Sequence, residues 1–190
     1  MADKKRNKFN SNDLKGSIFL GRGNNGSVYL LPHHNVIKIF FNTNDFKEEY
    51  SILERVNGNK YFPRIYEIGS NYIVRECVDG EILSYYIKKH GMSKKLGHNI
   101  LKLLKEFKKL RFTKIDIRCK DIFVQSDESL KVIDSKAFYS KERDFPQHLS
   151  KGLYNLGVLD SFLAILNEED PKLYKKWSPK INYYINTRNV

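Results

Sequence analysis

Three glycines set between two β-rich stretches constrain this chain more than any other feature of its sequence. Gly21, Gly23 and Gly26 form a G-x-G-x-x-G pattern within IFLGRGNNGSVYLLPHHNVIK, residues 18–38, and Val28 stands two positions beyond it. The same spacing can open a dinucleotide-binding unit, but that unit needs a helix directly after the last glycine, aimed at a pyrophosphate. Here the next residues are Ser27-Val28-Tyr29-Leu30-Leu31, and β-branched, aromatic and aliphatic side chains in succession favour a strand. The expected order is strand, glycine turn, strand, then a further strand over Val36-Ile37-Lys38-Ile39-Phe40.

A chain of 190 residues allows one domain or two small lobes with a real core. Hydrophobic residues at 41% and charged residues at 29% suit a soluble globular protein. No apolar run approaches the roughly 18 residues of a membrane span. The first residues, MADKKRNKFNSNDLK, lack the apolar centre of a secretory signal and read as a basic flexible tail over 1–15. Cys77 and Cys119 lie far apart, are too few to hold a metal by themselves, and fit reduced thiols in a cytoplasmic protein. His33-His34 are expected to face solvent in a turn.

The formal net charge is +12. Much of it lies in Lys4, Lys5, Arg6 and Lys8 and in the segment from Lys88 to Lys120. Within that segment Ile100, Leu101, Leu103, Leu104, Phe107 and Leu110 recur at helical spacing, while Lys94, Lys95, Lys102, Lys105, Lys108 and Lys109 mostly fall elsewhere on the wheel. A solvated outer face accounts for such a helix. An acidic partner such as RNA is the other way to use it, although no zinc-finger, helix-turn-helix or RNA-binding signature accompanies the charge.

The segment TNDFKEEYSILERV, residues 43–56, is expected to be a helix capped by Thr43 or Asn44, with Asp45 in its first turn. At 100° per residue, Phe46, Tyr50, Leu53 and Val56 share one face, Glu49 falls inside that arc, and Glu48 points away. A carboxylate on a packing face is costly unless a cation meets it, and Lys38 is the natural partner; a hydrated Glu49 at the rim of the face is the alternative. Further along, KIDIRCKDIFV (114–124) and Leu130 to Ile133 suggest a hairpin around Ser126–Ser129. It would draw Asp116, Asp121 and Asp134 toward one end, and carboxylates so grouped repel unless cations intervene, as in a Mg²⁺ site.

Together these motifs resemble the eukaryotic-like protein kinase superfamily, from about Ile18 to Leu166. The family's His-Arg-Asp-x-Lys-x-x-Asn loop aligns with Lys114 to Asp121, and its Asp-Phe-Gly with Asp134-Ser135-Lys136. Asp116 and Asp134 stand 18 residues apart, the interval of compact kinases. The resemblance implies an α+β, bilobal protein-kinase-like fold. Its N-lobe, an antiparallel sheet, would occupy 16–78, and a reduced helical C-lobe 79–190. Gly21, Gly23, Gly26 and Val28 would cover ATP, and Lys38 would hold its phosphates with Glu49 steadying it. Glu76 and Val78, at the hinge, would offer backbone groups to adenine. Asp116 would position the attacking hydroxyl and accept its proton, Arg118 would offset charge on the moving phosphoryl group, and Asp121 and Asp134 would hold Mg²⁺. The implied activity is serine/threonine phosphotransfer from ATP to a protein or small-molecule hydroxyl. A pseudokinase serving as nucleotide-binding or scaffold module is the alternative.

The departures matter as much. Lys114-Ile115 replace the histidine and arginine before the catalytic aspartate, and Ile115 argues against activation by loop phosphorylation. Ser135-Lys136 replace phenylalanine and glycine, and no Ala-Pro-Glu motif follows. A helix over Gly152–Leu166, similar to the family's helix F, begins so soon that the peptide-docking segment must be largely missing, with about one helix expected after it. Such brevity resembles the RIO and other compact atypical kinases. Asp144-Phe145-Pro146-Gln147 resembles a RIO metal motif and offers Asp144 as the alternative to Asp134.

Overall fold

A computed structural model describes residues 14–134 and 138–188. All but the last two residues of the basic tail, and Ser135-Lys136, which the sequence aligns with the end of the Asp-Phe-Gly motif, lie outside them. The chain divides into two compact units, Met1–Val78 and Asp79–Val190. The architecture is mixed α and β, and no helix among the described residues is long and apolar enough to cross a membrane.

The first unit is an antiparallel five-stranded sheet in the order β1-β2-β3-β5-β4, with one helix. Its strands are β1 (Ile18–Arg22), β2 (Gly26–Leu30), β3 (Asn35–Phe40), β4 (Ile65–Ile68) and β5 (Tyr72–Glu76), and α1 spans Thr43–Arg55. The period-two alternation of β3 explains its two-sided packing. Phe40 joins Ile73 and the α1 residues Phe46 and Leu53 in one buried cluster. Ile37 joins Tyr72 and Val74 in another, on which Tyr29, Leu31 and Ile39 pack. The α1 cap differs from expectation. Asn42, not Thr43 or Asn44, is the N-cap, its Oδ1 accepting from the Asp45 N–H at 2.9 Å. Asn42 has the extended backbone a cap needs (φ −141°), whereas Thr43 is already helical.

The second unit opens with β6 (Glu81–Ile82), α2 (Leu83–His90) and α3 (Lys94–Lys109). A single 3₁₀ turn at Cys119–Asp121 leads into the hairpin β7 (Ile122–Val124) and β8 (Leu130–Val132), and β6 pairs with β7. Helices α4 (Gln147–Asn155), α5 (Leu159–Glu169) and α6 (Pro171–Arg188) complete it. On α3 the periodic residues Ile100, Leu101, Leu103, Leu104 and Phe107 are buried, and the Ser93 hydroxyl caps its start. The helix expected over Gly152–Leu166 is in fact two. Gly157 takes a left-handed conformation (φ 70°) that ends α4, and the chain restarts as α5 two residues later. Trp177 of α6 is wholly buried, its Nε1–H donating to the Asp144 carbonyl at 2.8 Å.

Candidate functional site

In the first unit the glycine turn joins β1 to β2. The three glycines differ in what their surroundings require. A Cβ on Gly26 would sit 2.2 Å from the Ile39 carbonyl oxygen, so β2 could not approach β3 with any larger residue. Gly21 adjoins an irregularity in the β1–β2 register, and around Gly23 there is open space. The Gly23 N–H donates to the Gly26 carbonyl at 3.0 Å, closing the turn.

Val28 of β2 and Ile73 of β5 both lie opposite Lys38 of β3 in the sheet register, so the three share one face. That face carries Phe40 and its cluster with α1. Glu49 projects from α1 into the same region and is only 4% exposed. The Lys38 ammonium donates to Glu49 Oε2, and the guanidinium of buried Arg75 on β5 lies 3.7 Å from Oε1. The buried carboxylate therefore has two cations. Glu76 closes β5, and its carboxylate accepts from the Arg64 N–H at 3.1 Å. Val78 is half-buried just beyond the strand.

In the second unit the loop before the 3₁₀ turn carries the remaining candidates. Arg118 grips Asp121 in bidentate fashion, Nε to Oδ2 at 2.5 Å and Nη2 to Oδ1 at 3.1 Å. Its Nη2 also donates to Asp134 Oδ2 at 3.3 Å. The Ile133 N–H, bonded to the Asp121 carbonyl at 3.0 Å, ties the end of β8 to the 3₁₀ turn and brings these two acids together. Burial pushes the Asp121 carboxyl above its ordinary pKa, opposed by the Arg118 hydrogen bond. The same hydrogen bond raises the Arg118 pKa. Two carboxylates sharing one cation make a hard-oxygen donor set that suits Mg²⁺, with the guanidinium filling part of the counter-charge.

Asp116 is held differently. The backbone of Lys114 pairs with that of Arg143, and the Ile115 N–H donates to the Arg143 carbonyl at 2.6 Å. This lays the Lys114–Asp116 segment beside the start of α4. Pro146, at the N-cap of α4, has no side-chain acceptor to offer, and Asp116 supplies one. Its Oδ1 accepts from the N–H groups of His148 at 2.9 Å and Leu149 at 3.3 Å, and its Oδ2 contacts His148 Nδ1. Asp116 is 0% exposed. Asp144, which the sequence offers as the alternative to Asp134, pairs with Lys180 on α6, and the Lys180 hydrogen bond lowers the Asp144 pKa.

Three functional candidates escaped the sequence. Arg75 was a charge within the apolar run Tyr-Ile-Val-Arg, a signal that it needs a buried partner. Lys114 lies over the Phe138 ring at 5.3 Å, within electrostatic reach of Asp116 and Asp134, and burial lowers its pKa. His148 belongs to no periodic pattern and gave no signal. Cys119 is buried, and that burial pushes its thiol up to about 12.

No family model matches the chain. Over 125 residues it is 24% identical to a protein of Bacillus subtilis (strain 168) named "Putative serine/threonine-protein kinase YrzF". The match takes in 63% of this chain and 58% of that protein, so the chain spans less than two thirds of that relative's length. The antiparallel sheet followed by a helical unit is compatible with a kinase-like fold.

Proposed function

We propose that the chain is an ATP- and Mg²⁺-dependent phosphotransferase of the serine/threonine protein kinase type, with 16–78 as its N-lobe and 79–190 as a reduced C-lobe. The observation that carries this reading is the Lys38–Glu49 pair, a buried carboxylate met by a part-buried ammonium. Burying an ion pair contributes little to stability and is often matched by apolar packing, so its presence in a small sheet calls for another use. Glu49, holding Lys38 from α1 while Arg75 offsets the rest of its charge, would fix the ammonium for the nucleotide phosphates. The distant likeness to a protein named as a kinase supports the same class.

The remaining roles follow the chemistry of each group. Gly23, with open space around it, would let backbone approach the phosphates, and Gly26 sets the hairpin that carries it. Asp121 and Asp134 would hold Mg²⁺, which when bound neutralises phosphate charge and orients it. Arg118 would turn from these acids toward charge on the transferred phosphoryl group. Asp116 acts on the proton of the attacking hydroxyl from inside the protein. Glu76 and Val78 would present backbone groups to adenine. The acceptor is a hydroxyl on a protein or a small molecule.

The test pairs binding with turnover. Mg-ATP at roughly 100 times its Kd should add about 2.7 kcal/mol of stability. Labelled γ-phosphate should pass to protein or to water in the wild type and fail in Lys38→Met. Stabilisation without transfer would leave a nucleotide-binding module and defeat the enzyme; no stabilisation would defeat both.

A further inference from the structure

We infer that His148 takes the proton from the attacking hydroxyl and that Asp116 positions it, a division of labour that rests on the phosphotransferase reading above. Two exposures set the problem. Asp116 is 0% exposed, so its oxygens cannot meet a substrate in this structure. The His148 side chain, touching the same carboxylate, is 49% exposed. Whatever Asp116 does to a proton outside, it does through that ring.

The tautomer follows from the hydrogen bonds. An ionised carboxylate only accepts, and Asp116 already accepts from the His148 and Leu149 N–H groups. Its remaining contact, with His148 Nδ1, is satisfied when Nδ1 carries the proton. The neutral imidazole then keeps its lone pair on Nε2. This is the base-and-orienter pair that activates hydroxyl groups in hydrolases, built here between a loop aspartate and the first turn of a helix. The backbone N–H and the ring Nδ1 of the same residue both meet this carboxylate.

The step balances without any further reagent. The acceptor oxygen forms a bond to the γ-phosphorus of Mg-ATP while the bond from that phosphorus to the β,γ-bridging oxygen breaks, and ADP leaves with the electron pair. The hydroxyl proton passes to His148 Nε2. The imidazolium so formed is stabilised by the enclosed Asp116 carboxylate, and its proton returns to solvent across the exposed ring.

A purely structural alternative must be separated from this: Asp116 is also the distant cap of α4, and His148 could merely complete that cap. The variant His148→Ala keeps the backbone N–H groups that Asp116 accepts from, so the cap persists. The assay follows labelled phosphate from Mg-ATP to water and to the chain itself, with the Mg-ATP melting shift measured alongside. His148→Ala is expected to lose about 10²–10⁴-fold in rate with the melting shift intact, and free imidazole should restore part of the loss. Asp116→Asn should lose as much, because an amide turned to serve the α4 N–H groups presents its NH₂ to Nδ1 and moves the ring proton to Nε2.

A His148→Ala rate within about threefold of wild type, or no response to imidazole, overturns the role of His148 while leaving the phosphotransferase standing. A wild type that binds Mg-ATP but transfers nothing overturns both. Nitrogen NMR of the neutral His148 ring checks the geometry without turnover: a proton on Nδ1 is expected, and a proton on Nε2 sinks the proposal.

Discussion

The two units carry charge clusters of opposite design. In the first, one buried carboxylate, Glu49, lies between two cations, Lys38 and Arg75. In the second, one guanidinium, Arg118, lies between two carboxylates, Asp121 and Asp134. The first sets two cations about one carboxylate, an arrangement that suits an anion such as phosphate. The second sets two carboxylates about one guanidinium, an arrangement that suits a cation such as Mg²⁺. Burial separates them in part: the Glu49 side chain is 5% exposed, whereas the second cluster joins an enclosed Asp121, 11% exposed, to an Asp134 that is 32% exposed. An enclosed cluster is coupled to the stability of its unit, while a half-open one can be altered at little cost to the fold.

That contrast can be broken most directly at Glu49. Glu49→Gln leaves two cations against a buried neutral amide, and a loss of about 3–5 kcal/mol is expected in denaturant melts. The double replacement Lys38→Met with Glu49→Leu should recover most of it. A loss below about 1 kcal/mol would show that the first cluster is as solvated as the second. Asp134→Asn tests the other side. Phosphate transfer should fall on the order of 10²-fold or more, while stability moves by no more than about 1 kcal/mol. If Asp134→Asn unfolds the chain instead, the contrast between the units fails.

Two smaller effects sharpen the picture. Arg118→Gln removes the cation that competes for Asp121 and Asp134, so Mg²⁺ without nucleotide should raise the melting temperature of this variant more than that of the wild type. An unchanged Mg²⁺ response would separate the acids from metal binding. The smallest effect belongs to Asp144, whose pKa is lowered by the Lys180 hydrogen bond. A carboxyl with a depressed folded pKa contributes stability above its unfolded value, 3.8, and loses it as pH falls through the folded value. Asp144→Asn should therefore cost at most about 1 kcal/mol near neutral pH, because the pair is half-exposed, and nothing in acid. Equal losses at both pH values would mean that Asp144 acts through packing.

Much of the first unit was legible from local pattern. The strands flanking the glycines, the face of α1 and the inward Glu49 all follow from periods of two and 3.6, which need only neighbouring residues. Arg75 was legible only in part: its place in an apolar strand called for a partner, but which partner depended on β5 lying beside β3. The second unit was harder. Asp121 and Asp134 were visible by spacing, and so was the amphipathic face of α3. The break at Gly157 was not anticipated, since apolar residues run on through it and glycine is tolerated within helices.

By itself, the sequence pointed to the strands about the glycine turn, to Lys38 as the natural partner of a Glu49 on the packing face of α1, and to three aspartates at short spacing, of which the structure joins Asp121 and Asp134 through Arg118. Those are consequences of side-chain type at short spacing, and short spacing is what a sequence displays. Only the tertiary structure decided which aspartates face solvent. The pairing of Lys114 with Arg143 folds the chain so that Asp116 meets His148, 32 positions along. There the unsatisfied N–H groups of α4 take the carboxylate inward. No periodicity records that meeting, because it joins a loop to a helix end, and the enclosure of Asp116 and the exposure of His148 both follow from it.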